Sequence, residues 1–308
     1  MKFAAFTVST PDYTPEEIVL KLKEFGYDGV EWRVLDQEPN PKATRTNGFW
    51  TNNKATLPLT GFAEHAAAYR KLADDAGLAI PSLGTYVSAS EPEAVGEIMQ
   101  AAASIGVTQL RVRVPEYDVR TPYQPLFDET RKHYWEIAQL AEKHGVKALL
   151  ELHHKTIVTS ASAARLFFDG FDPKHVGVIH DAGNLVFEGF EPYRMAFEIL
   201  GPYLAYVHLK DAKWTPLKYT PDGGVDWLAI WAPVAKGSAN IRALITALHD
   251  IGYDGWVTFE DFSLDFPIDE RLQRNLSYVK NVLAELTASD ATADDATPET
   301  PETPAASS

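Results

Sequence analysis

Four side chains in this sequence stand where they could share one cation. Glu151 ends the run VKALLE, Asp181 ends VGVIHD, His208 lies in AYVHL and Glu260 ends WVTFE. Each follows four or five mostly apolar residues, the pattern of a short buried strand whose polar residue marks its end. Three carboxylates and an imidazole gathered in one place would repel one another strongly unless a cation sat among them. The chain has no cysteine, so a metal here must use nitrogen and oxygen ligands. That hard set favours Mn²⁺ or Mg²⁺, and Zn²⁺ also fits. The chemistry open to such a group is Lewis-acid catalysis.

These residues need elements to bring them together, and the chain reads as one repeated phrase: amphipathic helix, Gly near its end, short apolar strand. Strands are expected at 2–9, 29–34, 78–86, 107–114, 146–154, 175–183, 203–211 and 255–261. Thr14-Pro15-Glu16-Glu17 reads as a helix start, with Thr as N-cap, Pro at the first helical position and Glu three residues after the cap. Further helices are expected near 61–76, 91–105, 127–144, 160–168, 191–200, 239–251 and 269–287. Gly-Tyr-Asp-Gly occurs at 26–29 and again at 252–255, at the same helix-to-strand joint. Eight strand-helix units of this total length predict a single (β/α)8 TIM barrel, α/β in class, whose strand ends meet at one mouth. Two connections are long, 36–60 and 212–238; both leave strand C-terminal ends and are expected as loops on the catalytic face.

At that mouth other residues become candidates. His153 lies two residues beyond Glu151 and so on the same side of the strand, a neutral imidazole placed to act as general base. By the same alternation His154 is expected as a packed histidine in the barrel wall, and His180 is expected to point away from the mouth. Asn184 and Lys210 are candidate hydrogen-bonding groups for a substrate hydroxyl, with an ion pair to Asp211 or a neighbouring acid as the other reading of Lys210. Arg111 and Arg113 share one face of strand four, facing either the mouth or a structural acid. Trp32, Trp50 and Trp214 are candidates for stacking on a flat group, against the commoner fate of burial. Glu31 is a candidate support or substrate contact.

Composition bounds the rest. A formal charge of −15 disfavours nucleic acid, whose binding requires clustered Lys and Arg. No run of about 18 apolar residues and no signal-peptide core are seen, so no membrane span is expected and a cytoplasmic location is. The 308 residues divide by composition into a barrel over 1–286 and an acidic tail over 287–308, expected to be disordered.

The segments LLELHH, VIHDAGN, YVHLKDAKW and WVTFED, with YDGVEWR in the second strand, resemble the xylose isomerase-like TIM barrel superfamily of sugar isomerases, epimerases and the so-called AP endonuclease family 2 proteins. The resemblance implies that Glu151, Asp181, His208 and Glu260 are metal ligands. Its ketose epimerases use the two glutamates as a facing acid/base pair. They usually carry a His where Asn184 stands, and often a Glu where Ile157 stands. With those departures and His153, the chain looks closest to the α subunit of bacterial C-glycoside deglycosidases. That likeness implies a metal-dependent lyase cleaving a 3-keto C-glycoside by proton abstraction and β-elimination, working with a small β subunit in a hetero-oligomer. An isomerase or epimerase acting through an enediolate is the alternative. A phosphodiester-cleaving repair enzyme would want more His ligands and a basic groove.

Overall fold

The computed structural model describes residues 1–44, 49–189 and 191–295. Its centre is a closed parallel barrel of eight strands: β1 (Lys2–Phe6), β2 (Gly29–Val34), β3 (Leu83–Thr85), β4 (Gln109–Arg111), β5 (Lys147–Glu151), β6 (Val176–Asp181), β7 (Leu204–Leu209) and β10 (Trp256–Phe259). Neighbours run β1-β10-β7-β6-β5-β4-β3-β2 around the ring, so sequential order is kept and β1 closes on the last strand. The expected (β/α)8 architecture is therefore what the chain adopts, with every expected strand present.

The helices follow from local chemistry. Helix α1 (Pro15–Phe25) opens with the anticipated capping box: Glu17 N donates to Thr14 Oγ1 and Thr14 N to Glu17 Oε2. It stops at Gly26, whose φ of +82° is left-handed and favours glycine. Helices α2 (Phe62–Asp75), α3 (Pro92–Ser104), α4 (Tyr123–His144), α5 (Ala161–Phe167), α7 (Tyr193–Leu200) and α8 (Ile241–Asp250) complete the outer layer, with a four-residue turn α6 (Ala182–Leu185) on the mouth. The main core lies between strands and helices, and Trp32 belongs to it.

Two expectations need correcting. Residues 212–238 are not a loop: they form most of an antiparallel ribbon, β8 (Asp211–Tyr219) paired with β9 (Val225–Ala232). The turn Pro221-Asp222-Gly223-Gly224 between two runs of alternating character is what a hairpin requires. The last helix, α9, runs Ile268–Asp295 and so passes the boundary expected at 287. The stretch beyond 286 is rich in alanine, a strong helix former, so a helix already anchored by Leu272, Leu276 and Val279 propagates into it. The remainder of the expected tail, 296–308, lies outside the described residues, as does part of the 36–60 loop.

Candidate metal centre

Inside the barrel the period of two sets the layers. Leu149, Ile179 and Tyr206 form a small inner cluster, and the Tyr206 hydroxyl hydrogen-bonds the Thr258 hydroxyl at 2.5 Å. Two residues further along the same strands stand Glu151, Asp181, His208 and Glu260. One ligand atom from each lies within 4.8 Å of the others, and all four residues are buried. His208 Nδ1 faces Glu151 Oε1 at 3.3 Å, Asp181 Oδ2 at 3.8 Å and Glu260 Oε2 at 3.9 Å. Asp181 Oδ2 is buried without a hydrogen bond among the described residues. Three carboxylates and one imidazole nitrogen, with Asp181 Oδ2 turned inward and met only by the Lys210 ammonium, fit a single hard divalent ion.

Fixed groups surround this set. His208 Nε2 donates to Glu31 Oε2 at 3.0 Å, and Glu31 is fully buried on β2. A carboxylate behind a ligating histidine fixes its tautomer and leaves Nδ1 for the ion. Arg111 Nη1 lies 2.5 Å from Glu151 Oε2. Lys210 Nζ lies 2.5 Å from Glu260 Oε2 and 3.0 Å from Asp181 Oδ2. Burial opposes charge on Glu151, but the Arg111 guanidinium and the hydrogen bond from His208 outweigh it and hold that carboxyl well below the usual range. Burial pushes the Asp181 carboxyl up to about 8 against the pull of Lys210. Burial also disfavours a charged His208, yet Glu31 and Glu151 override it and lift the imidazole well above the ordinary histidine range. A bound cation would replace that proton.

Above the cluster opens a cavity of about 350 Å³. His153 lines it, and its Nδ1 lies 2.8 Å from the His154 carbonyl oxygen. A carbonyl only accepts, so Nδ1 carries the hydrogen and the lone pair sits on Nε2. Burial lowers the His153 pKa to about 3, so the ring is neutral at neutral pH. Arg111 and Lys210 line the cavity too, and each is ion-paired with an acid of the cluster, the neighbouring-acid reading raised for Lys210 and the structural-acid reading raised for Arg111. Arg113 and Trp50 reach its rim.

Several sequence expectations fall elsewhere. His154 is not in the wall: β5 ends at Glu151, and Thr156 N and Oγ1 both close on the His153 carbonyl, so strand alternation has already stopped. His154 lines the cavity, stacks on Phe187 at 4.2 Å and bonds Asn184 Oδ1 at 2.9 Å. Asn184 is itself buried, donating to Glu151 Oε1 at 3.2 Å and to the Leu152 carbonyl at 3.3 Å; it positions the site and is absent from the cavity lining. Trp32 is fully buried in the outer core, because Glu31 beside it takes the inward position. Trp214 stands on the ribbon outside the cavity lining, its Nε1 donating to the Val186 carbonyl. The aromatic wall is instead Trp231, Phe187 and Phe262, with Trp231 5.0 Å from Phe187 and 5.4 Å from Phe262. Trp231 and Ala229, two apart in β9, share the face toward the cavity, and that spacing was the signal available in the sequence. His180 points outward as expected, packed on Tyr193 and Phe197.

The fold and the site define the class: a (β/α)8 barrel with a buried acid-and-imidazole cluster at the C-terminal ends of its strands. The model of the xylose isomerase-like TIM barrel family matches residues 19–282, and the chain belongs to that family. Among relatives, an inosose dehydratase of Geobacillus kaustophilus is 24% identical over 131 residues, a stretch spanning 40% of this chain and only 41% of that protein. Among solved structures, a D-psicose 3-epimerase from Clostridium cellulolyticum has a TM-score of 0.68 at 15% identity, covering 92% of this chain and 99% of that one. A 3-keto-D-glucoside 4-epimerase from E. coli has a TM-score of 0.67 at 16% identity, covering 91% and 99%. Likeness at that identity establishes the shared fold.

Proposed function

We propose that this chain is a divalent-metal-dependent carbon–carbon lyase acting on 3-keto C-glycosides. The observation that carries the reading is the contrast between the glutamates and His153. Glu151 gives one oxygen to Arg111 and turns the other toward the cluster, and Glu260 Oε2 faces the cluster, where the ion would take it. His153 commits Nδ1 to a backbone carbonyl and keeps its lone pair at Nε2, in the cavity beside the cluster. A carbon–carbon glycosidic bond has no leaving oxygen for a carboxylic acid to protonate, so two-carboxylate hydrolysis does not serve it.

Glu151, Asp181, His208 and Glu260 would hold the ion, Mn²⁺ or Mg²⁺ by their chemistry, and when bound it supplies a Lewis acid for the substrate's C3 carbonyl oxygen. His153 Nε2 then takes the proton from C2, which the neighbouring ketone has made acidic. The C2–H electrons form the C1=C2 bond as the C1–aryl bond breaks. The proton from C2 ends on the departing aryl carbon, so no co-reactant is consumed. Trp231, Phe187 and Phe262 give a flat leaving group an apolar wall. The relative named a dehydratase and the neighbour named for a 3-keto-glucoside are consistent with elimination next to a ketone.

A second reading, a keto-sugar epimerase working through an enediolate, is favoured by Glu151 and Glu260 both belonging to the four-residue cluster. Incubation with 3-keto C-glycosides, 3-keto O-glycosides and free ketoses, read by mass spectrometry, separates the two. Release of free aglycone from the C-linked compound supports the lyase; unchanged mass with stereochemical scrambling replaces it with the epimerase. The working form is proposed to include a small β subunit. The reading is supported by the aromatic residues the ribbon exposes, Trp214 (46%), Trp227 (57%) and Tyr219 (74%). Co-expression with the neighbouring gene followed by size exclusion should yield a complex, and a fully active lone chain removes that proposal.

A further inference from the structure

Lys210 is the one lysine whose ammonium reaches into the cluster among the described residues, and its place there is built rather than incidental. It lies one residue past the end of β7, two positions beyond His208, and is buried to 2% exposure. Its aliphatic stem passes Gly183: a Cβ at that glycine would collide with Lys210 Cγ and press on the Lys210 backbone. Any larger residue at position 183 would close the channel through which the side chain runs.

The oxygens it holds are decisive. Lys210 Nζ contacts Glu260 Oε2 and Asp181 Oδ2, the same two atoms that face His208 Nδ1 across the cluster. A divalent ion bound by these ligands and an ammonium bound by them compete for the same negative charge and repel each other at short range. The ammonium has somewhere else to go. Its Nζ is already 5.0 Å from the ring centroid of Trp231 and 5.2 Å from that of Phe262, two faces able to hold a cation at the mouth.

We propose that Lys210 is the internal counter-cation of the metal-free site, which the incoming metal displaces toward the Trp231–Phe262 faces, so that loading the metal also sets an ammonium in the substrate cavity. This rests on the metal reading of the cluster but not on the reaction assigned to it.

The test is a Mn²⁺ titration of metal-free protein by calorimetry, with melting temperatures of the metal-free and Mn²⁺-loaded forms, for the wild-type chain, Lys210→Met and Lys210→Arg. With the competing charge gone, Lys210→Met should bind Mn²⁺ at least tenfold more tightly and melt lower than wild type only when metal-free. Lys210→Arg keeps the charge and should stay within a few-fold of wild type. Equal or weaker Mn²⁺ binding by Lys210→Met overturns the proposal, because it makes the lysine a support of the loaded site instead of a competitor. If metal-free Lys210→Met does not fold, Mn²⁺ release to a chelator from the loaded variant takes its place: slower release than wild type supports displacement, and faster release contradicts it. A wild-type chain that takes up no Mn²⁺, Mg²⁺ or Zn²⁺ removes the metal reading itself, a separate outcome.

Discussion

At the mouth of the barrel, the choice between a glutamate and a histidine base rests on which lone pairs are already committed. Arg111 holds one oxygen of Glu151 and the ion would take Glu260 Oε2, whereas the carbonyl of His154 fixes the His153 tautomer with its base nitrogen opposite. His153→Ala should therefore lower turnover by about 10²–10⁴, the usual worth of a general base, while metal content per chain stays at the wild-type level. Activity retained in that variant would move the base role to a glutamate. Glu31 acts through His208 and touches no reacting atom. Glu31→Gln should weaken Mn²⁺ binding by about 10–100-fold, read by titration, because the amide no longer holds the imidazole N–H with a charge. Glu31 was legible in the sequence as a candidate, yet GVEWRV does not say whether Glu31 or Trp32 faces inward. A one-residue change in facing exchanges the two.

Among the elements, the β8–β9 ribbon differs most from what the sequence suggested and contributes most to the shape of the cavity. It leaves β7 directly, and its foot is fastened by Asp211, whose carboxylate accepts from the backbone nitrogens of Ala212, Gly237 and Ala239. Gly237 is required there, since a Cβ would collide with the Asp211 carboxylate. Gly237→Ala should cost about 1–3 kcal/mol in urea unfolding, an overpacking effect, and should disturb Trp231 and the cavity more than the cluster beneath. An unchanged midpoint would mean that the ribbon is not held through Asp211. The sequence contained the alternation and the Asp-Gly-Gly turn, but length alone marked the segment as a loop, because a ribbon in water lacks the continuous apolar run of a barrel strand.

Across the whole molecule, the buried charge of the centre and a second buried histidine set how the protein responds to metal and to acid. An excess of Mn²⁺ about a hundredfold over its dissociation constant should raise stability by about 2.7 kcal/mol, and chelation should reverse this, as read by thermal melting. His180 is fully buried among Tyr193 and Phe197, neither ring nitrogen has a hydrogen bond among the described residues, and burial lowers its pKa to about 4. The unfolded chain protonates His180 near pH 6.5 and the folded chain only near 4, so folding is disfavoured progressively as pH falls through that window, by about 3 kcal/mol at its lower end. In His180→Phe the stability lost between pH 6.5 and 4 should shrink by about that amount, and an unaltered pH profile would place the acid sensitivity elsewhere.

The strands and helices of the barrel and the membership of the four-residue cluster were determined by the sequence itself. Helix caps, glycine stops and apolar runs act within a few residues, and a polar residue ending each of four strands needs only the barrel rule to become a cluster. What the tertiary structure alone decided is which neighbours serve that cluster. Glu31 comes from β2, Lys210 from beyond β7, Asn184 from the turn after β6 to support Glu151, and Trp231 from a ribbon more than twenty residues past His208; Trp32 and Trp214, equally plausible by type, are turned elsewhere. Those assignments depend on strand register, on where β5 ends before His153 and His154, and on the packing of one strand's side chains against the next, contacts distant in the chain that no local pattern records.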